Sequence, residues 1–291
     1  MVLFAVLGIG AAVSAIVALA ARRWPAIGAP RVSVDTIVDK VDKHPKVAHH
    51  LRQHFDPKTE TGVALISATA VAAVAAVGVG VLAVMIREKF GLQSLDLRFA
   101  QYGADHATTF STNVMRHLSD FGSTRGVVAI ALVATLLEIR RLPSRSLPIF
   151  MTLVVGGQLA LSNLIKMGVA RARPDISRLT GYAGTSFPSG HSTAAAATFA
   201  AVALIVSRRR SRRTKIAAAS LAAGLAVVVA GTRVMLGVHW FTDVSAGLLL
   251  GWGWFSLCSI AFGGRLLSFG VPVEAANKIA SDLPPQTGNL E

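Results

Sequence analysis

The stretch "SFPSGHSTAAAATFAAVALIVS" spans residues 186–207. A short polar turn, Pro188-Ser189-Gly190-His191, runs into a largely apolar segment with no charge before Arg208. The apolar part reads as a membrane helix with its N-terminus at the turn. An ionisable histidine at the mouth of such a helix is costly unless it has partners or a task. The reading of the chain turns on what else arrives at that place.

Similar apolar runs lie on both sides, at residues 2–21, 62–86, 126–139, 147–165, 216–231 and 240–263. Most approach the length a bilayer demands. The 291 residues are 53% hydrophobic and 15% charged, with a mean hydropathy of +0.56. A soluble domain carries about 25% charged residues. The expected fold is therefore all-α, a polytopic membrane helix bundle. The first run ends in Arg22-Arg23 and has no basic segment before it, so it reads as a retained helix rather than a signal peptide. The lone Cys258 permits no disulfide within the chain.

The net charge of +14 would suggest nucleic acid in a soluble protein. Here the Lys and Arg residues sit in short loops such as "RRLPSR" (140–145) and "SRRRSRRTK" (207–215), so no nucleic-acid partner is expected. The positive-inside rule makes both loops cytoplasmic. Seven spans then follow, with the N-terminus outside, the tail inside, and residues 166–191 and 233–239 on the outer face.

Two segments stand apart. In residues 31–56, Val34, Ile37, Val38 and Val41 recur at helical spacing, with Asp35, Asp39, Lys40, Asp42 and Lys43 among them. This amphipathic stretch suits the membrane surface or a cytoplasmic partner. Its histidines, His44, His49, His50 and His54, lack a carboxylate or cysteine to complete a tight metal set, and a solvated face is expected. Residues 87–125 are more polar and read as a loop with one amphipathic helix. The tail, 265–291, reads as disordered.

Three stretches meet on the outer face. In "KMGVARARP" (166–174), Lys166 and Arg173 are seven apart. A continuous helix would place them on one face, turn Arg171 elsewhere, and end at Pro174. At 188–191, a helix starting at Ser189 or Gly190 would offer free N–H groups and its positive dipole end to an anion, with His191 beside it as a proton donor. In "TRVMLGVHWFTDVSAG" (232–247), His239 and Asp243 have i, i+4 spacing, so a helix would let the carboxylate hold one imidazole nitrogen and free the other. Arg233 could fork onto phosphate oxygens. Three cations, a helix N-terminus and two histidines make a phosphate pocket with a nucleophile in it. No metal or cofactor is expected there, because the cations would repel a metal ion.

These motifs, Lys166-x6-Arg173-Pro174, Pro188-Ser189-Gly190-His191 and Thr232-Arg233-x5-His239-x3-Asp243, resemble the signature of the type 2 phosphatidic acid phosphatase (PAP2) and haloperoxidase superfamily. Thr232 replaces the family's serine. The resemblance implies a six-helix core over residues 62–264, preceded by an extra N-terminal membrane helix and the amphipathic segment (1–61) and followed by the tail (265–291). It also implies a metal-independent phosphatase acting on a lipid phosphate or diphosphate, of the phosphatidate, phosphatidylglycerophosphate or undecaprenyl diphosphate type, at the outer face of a bacterial plasma membrane. In the implied mechanism His239 forms a phosphohistidine, Asp243 orients it, and His191 serves the leaving group. Lys166, Arg173, Ser189, Gly190 and Arg233 hold the phosphoryl oxygens. The other readings are a catalytically inactive lipid-phosphate binding or transport protein, and a vanadate-dependent haloperoxidase, whose relatives are generally soluble.

Overall fold

The computed structural model describes residues 1–23, 60–176, 178–181 and 184–266, without side-chain detail for 23, 60–67 and 263–266. The amphipathic segment 31–56 with its four histidines, and the tail beyond Leu266, lie outside the described residues.

Among the described residues there are nine helices and no strands. They are α1 (Val2–Arg23), α2 (Glu60–Arg87), α3 (Gln93–Asp105), α4 (Thr109–Asp120), α5 (Thr124–Arg141), α6 (Ser146–Val169), α7 (Gly190–Ser207), α8 (Arg212–Met235) and α9 (Phe241–Leu266). Residues 87–125 thus hold two helices where the sequence suggested one. Thr108 breaks the stretch. Its hydroxyl accepts from the Ser111 N–H at 3.1 Å, while the Ser111 hydroxyl accepts from the Thr108 N–H at 3.0 Å. This reciprocal cap starts a second helix.

Six helices, α1, α2, α6, α7, α8 and α9, are each long and apolar enough to cross a membrane. The seventh expected span is a bent pair: α4 and α5 qualify together, with a 52° bend between them. The bend lies at Phe121–Ser123, where the Ser123 hydroxyl caps the new helix by accepting from the Gly126 N–H at 3.1 Å. Gly122 is required at the bend. A Cβ there would lie 2.9 Å from the His191 carbonyl oxygen.

The hydrophobic residues are distributed as a bilayer demands. Val71, Val74, Val77, Val81 and Val84 of α2 face outward, as do Leu132, Val133, Leu136 and Leu137 of α5. Water would not tolerate an outer surface this apolar, but acyl chains do. The chain is an integral membrane protein.

Small residues fill the interior instead. α7 is the central helix, in contact with α5, α6, α8 and α9. Its Ala194–Ala197 run is buried throughout. Lipid gives helices little hydrophobic reason to associate, so close packing of small residues has to hold them. Gly247 and Gly251 of α9 permit that approach. A Cβ on Gly251 would stand 2.4 Å from the Thr193 carbonyl oxygen and 2.7 Å from the Ala196 Cβ. Gly251→Val is therefore expected to cost about 1–3 kcal/mol by overpacking. The melting temperature in detergent checks this, and an unchanged value would contradict the packing account.

α1 belongs to the bundle in the same way. Gly10 and Gly224 let α1 and α8 nearly touch, and a Cβ on Gly10 would lie 3.0 Å from the Gly224 carbonyl oxygen. Val2 and Val6 also join the cluster of Met115, Val234, Met235 and Leu236 beneath the connection to α9. The C-termini of α6 and α8 and the N-termini of α7 and α9 gather at one end, where the three motifs meet.

Candidate active site

Lys166 and Arg173 do share the site, but not through a common helix. α6 ends at Val169, and Ala170 adopts a left-handed conformation with φ of 48°. Residues 171–176 then run without helical structure. The break reverses the expectation for Arg171, which faces the same centre as its neighbours. Lys166 Nζ and Arg173 Nη2 both donate to the Thr185 carbonyl, at 2.9 and 3.1 Å. Arg173 Nε donates to the Gly184 carbonyl at 3.0 Å, and Arg173 Nη1 to the Val238 carbonyl at 2.7 Å. The chain returning towards α7 is thus strapped to the two cations.

Ser189 caps α7. Its oxygen accepts from the Ser192 N–H at 3.5 Å and from the Ser192 hydroxyl at 3.0 Å, and the residue is fully buried. Gly190 borders open space, since a Cβ built on it meets no atom within 4 Å. The first turn of α7 therefore opens onto the site with unpaired N–H groups and the positive end of the dipole. His191 stands half-buried in that turn.

His239 is not on α9 either. It lies in the turn before the helix, after Gly237, whose φ of 69° suits glycine. The Val238 and His239 N–H groups both donate to the Arg233 carbonyl at 3.3 Å, tying the turn to the end of α8. Asp243, in the first turn of α9, accepts from the Trp240 N–H at 2.9 Å through Oδ2. The same oxygen lies 3.5 Å from His239 Nδ1 and accepts a short hydrogen bond from the Ser186 hydroxyl. The carboxylate thus addresses the Nδ1 side of the ring, as the spacing suggested, but by way of a turn and with a serine between. On the other side, His239 Nε2 lies 3.1 Å from Arg173 Nη1. With its proton on Nδ1, the ring presents the Nε2 lone pair to the cations.

His239 is 2% exposed. Burial pulls its pKa down to about 4. Asp243 opposes the shift, and the positive charges of Arg173 and Arg233 add to it. The imidazole is therefore neutral and able to attack at neutral pH. Arg233 is also buried. Its Nη1 donates to Ser119 Oγ of α4 at 2.8 Å, while its Nε has no acceptor. Thr232, the departure from the family pattern, turns its hydroxyl back onto the Val229 carbonyl at 2.6 Å. It takes no part in the pocket.

Several contributors were not singled out from the sequence. Arg171 is turned away from the Lys166 and Arg173 face only if the helix continues past Val169, which it does not. Ser186 and Thr242 lie beside the motifs, and the sequence argument passed over them. Asp96 and Ser119 come from the segment read as a loop with one amphipathic helix. The one signal for Asp96 was a carboxylate at helical spacing from Leu92, Phe99, Ala100 and Gly103, an otherwise apolar face.

The chain is similar to several known proteins. Residues 147–266 match the family model "PAP2 superfamily". The chain is 44% identical over 119 residues to a lipid A 1-phosphatase of Rhizobium etli, covering 38% of this chain and 46% of that protein. It is 37% identical over 106 residues to phosphatidylglycerophosphatase B of Bacillus subtilis, covering 35% of this chain and 52% of that one. The chain spans about half the length of the curated relatives it matches. Among solved structures, a transmembrane PAP2-type phosphatidylglycerolphosphate phosphatase from Bacillus subtilis superposes with a TM-score of 0.62 at 25% identity, covering 67% of this chain and 96% of that one. The matched segment carries Lys166, Arg173, Ser189, Gly190, His191, Arg233, His239 and Asp243 together, and the shared bundle extends well beyond it. By motif and by segment, residues 147–266 are similar to the PAP2 superfamily, and the bundle around them has the fold of a PAP2-type membrane phosphatase.

Proposed function

We propose that the protein is a membrane phosphatase that hydrolyses the phosphate ester of a lipid through a phosphohistidine on His239. The observation that carries this reading is the two-sided setting of His239. Its Nδ1 faces Asp243 and its Nε2 faces Arg173, inside a pocket with a helix N-terminus at its edge. The buried and unpaired Arg233 Nε is a donor held in reserve for a phosphoryl oxygen.

The chemistry follows from that setting. Lys166, Arg173, Arg233 and the first N–H groups of α7 hold the phosphoryl oxygens. The Nε2 lone pair attacks phosphorus. An N–P bond forms as the P–O bond to the lipid breaks, and His191, protonated in the substrate complex, gives its proton to the leaving oxygen. His191 then takes a proton from water as the water oxygen bonds to phosphorus. The N–P electron pair returns to His239, and phosphate is released. No metal enters these steps.

In this reading the substrate headgroup lies at the end of the bundle where the α6–α7 and α8–α9 connections meet, and the positive charge of loops 140–145 and 207–215 supports placing that end at the outer face of a bacterial plasma membrane. The names of the relatives favour phosphatidylglycerophosphate and the 1-phosphate of lipid A. Phosphatidate and undecaprenyl diphosphate present the same chemistry. Phosphate release by the detergent-purified protein from these four lipids, with EDTA present, tests the reading. Release from at least one is expected. None from any of them, by folded protein, would remove it.

The pH profile follows from the His239 environment. A depressed pKa keeps the neutral ring available well below pH 6.5. The acid limb of kcat/KM is expected to fall with a midpoint near 4. A midpoint at the ordinary imidazole value would contradict a buried nucleophile beside two arginines.

A further inference from the structure

Arg171, partly buried, and Asp96, buried, are charged and unused by the steps above. Arg171 Nη1 donates to Asp243 Oδ1 at 2.7 Å and to Thr242 Oγ1 at 2.7 Å. Its Nη2 donates to Asp96 Oδ2 at 2.7 Å. Asp96, 2% exposed, also accepts from the Thr242 N–H at 2.9 Å and from the Thr242 hydroxyl at 2.8 Å. The guanidinium lies over the Trp240 ring, 5.4 Å from its centroid, and the Trp240 Nε1–H donates to the Ala172 carbonyl at 2.9 Å. Both carboxylates and both terminal guanidinium nitrogens in this chain of contacts have partners. It runs from α3, through residue 171, to the carboxylate beside His239. Asp96 lies upstream of the segment that matches the family model.

The geometry has a direct consequence. The Oδ2 atom of Asp243 serves Trp240, Ser186 and His239. Only Oδ1 remains to fix the rotation of the carboxylate, and Arg171 holds it. A fork-shaped guanidinium can grip two carboxylates at once, which an ammonium cannot do with the same planar geometry. α3 is placed to hold the second one. Gly103 packs against the Met235 backbone at the end of α8, and Phe99 stacks on Phe241 with ring centroids 4.8 Å apart.

We propose that Arg171, anchored by Asp96 of α3, is a positioning residue that locks the Asp243 carboxylate and through it the attacking geometry of His239. This rests on the phosphohistidine reading of the site. It adds that the outer helix α3, by way of Asp96, is part of the nucleophile's support. The charged and titratable groups around His239 are Lys166 from α6, Arg171 and Arg173 from the connection, His191 from α7, Arg233 from α8, Asp243 from α9 and, behind Arg171, Asp96. Removing the Arg171 charge leaves Asp243 less compensated, so its negative field draws a proton to His239 at higher pH.

The test compares wild type with Arg171→Met, Arg171→Lys and Asp96→Asn, each as the full chain in detergent. For Arg171→Met, kcat is expected to fall on the order of 10²-fold, with KM changed by less than about threefold. The acid limb of kcat/KM should move up by about one pH unit. Arg171→Lys should recover part of kcat, and Asp96→Asn should shift both readouts in the same direction but less. A buried ion pair broken on one side destabilises a fold, so the melting temperature and the folded fraction are measured for each variant. The 15N signals of His239 are followed as well, assigned by their loss in His239→Gln. Their displacement in Arg171→Met reports the ring's setting without turnover. Wild-type kcat in folded Arg171→Met, or a loss explained wholly by unfolded protein with His239 signals and acid limb unmoved, overturns the proposal. If the wild type releases no phosphate from any lipid, the functional reading fails instead, and the His239 signals alone decide whether Arg171 sets the ring.

Discussion

Replacing His239 with glutamine is expected to abolish turnover, by at least about 10⁴-fold, while the protein stays folded. The reason is the division of labour in the pocket. Lys166, Arg173, Arg233 and the α7 N-terminus can bind a phosphoryl group without the imidazole. None of them can form the N–P bond. Glutamine keeps polarity and approximate volume, but its amide nitrogen has no lone pair free to attack. Substrate binding should therefore survive where chemistry does not. Rapid quench of the wild type during turnover should trap an acid-labile, phosphorylated protein, and the variant should give none. Activity of His239→Gln within tenfold of wild type would show that another group attacks phosphorus.

The second large effect is expected at Asp243. This carboxylate is fully buried and accepts from Arg171, Trp240 and Ser186 while facing His239. Asn at this position has one acceptor oxygen and an NH2 group. Whichever way it turns, two protons meet at one of these contacts. The ring loses both its charge partner and its tautomer control. Loss of an orienting carboxylate in a serine-protease triad costs about 10⁴ in kcat, and a fall on the order of 10³–10⁴ is expected here, mostly in kcat. The same change breaks the Arg171 pair, so a lower melting temperature should accompany it. A folded Asp243→Asn protein that keeps kcat within tenfold would mean that His239 needs no orienting group.

The membrane character and the three motifs could be read from the chain because both signals are local. Apolar runs approaching bilayer length and fixed spacings such as Lys166-x6-Arg173 survive any detail of backbone path. What was lost depended on that path. Ala170 in a left-handed conformation stops α6 one turn early, and this turns Arg171, expected off the Lys166 and Arg173 face, into a partner of Asp243. The Thr108–Ser111 cap splits a polar stretch into two helices, and so places Asp96 and Ser119 against residues far along the chain. His239 and Asp243 reach each other across a turn rather than along a helix, an arrangement that an i, i+4 spacing cannot distinguish from a helical one.

The two buried carboxylates also set the charge balance of the pocket. Lys166, Arg171, Arg173 and Arg233 carry four formal positive charges, and Asp96 and Asp243 remove two, with both histidines neutral. The surplus of two matches the charge of a phosphate monoester dianion, so binding offsets these six groups and leaves over only the proton that His191 carries in the complex. Free phosphate at neutral pH brings nearly the same charge to the same donors. The pocket therefore distinguishes product from substrate only by the lipid that has left. Such an enzyme completes its cycle when phosphate is exchanged for solvent, and its forward direction rests on the dilution of phosphate in the surrounding water.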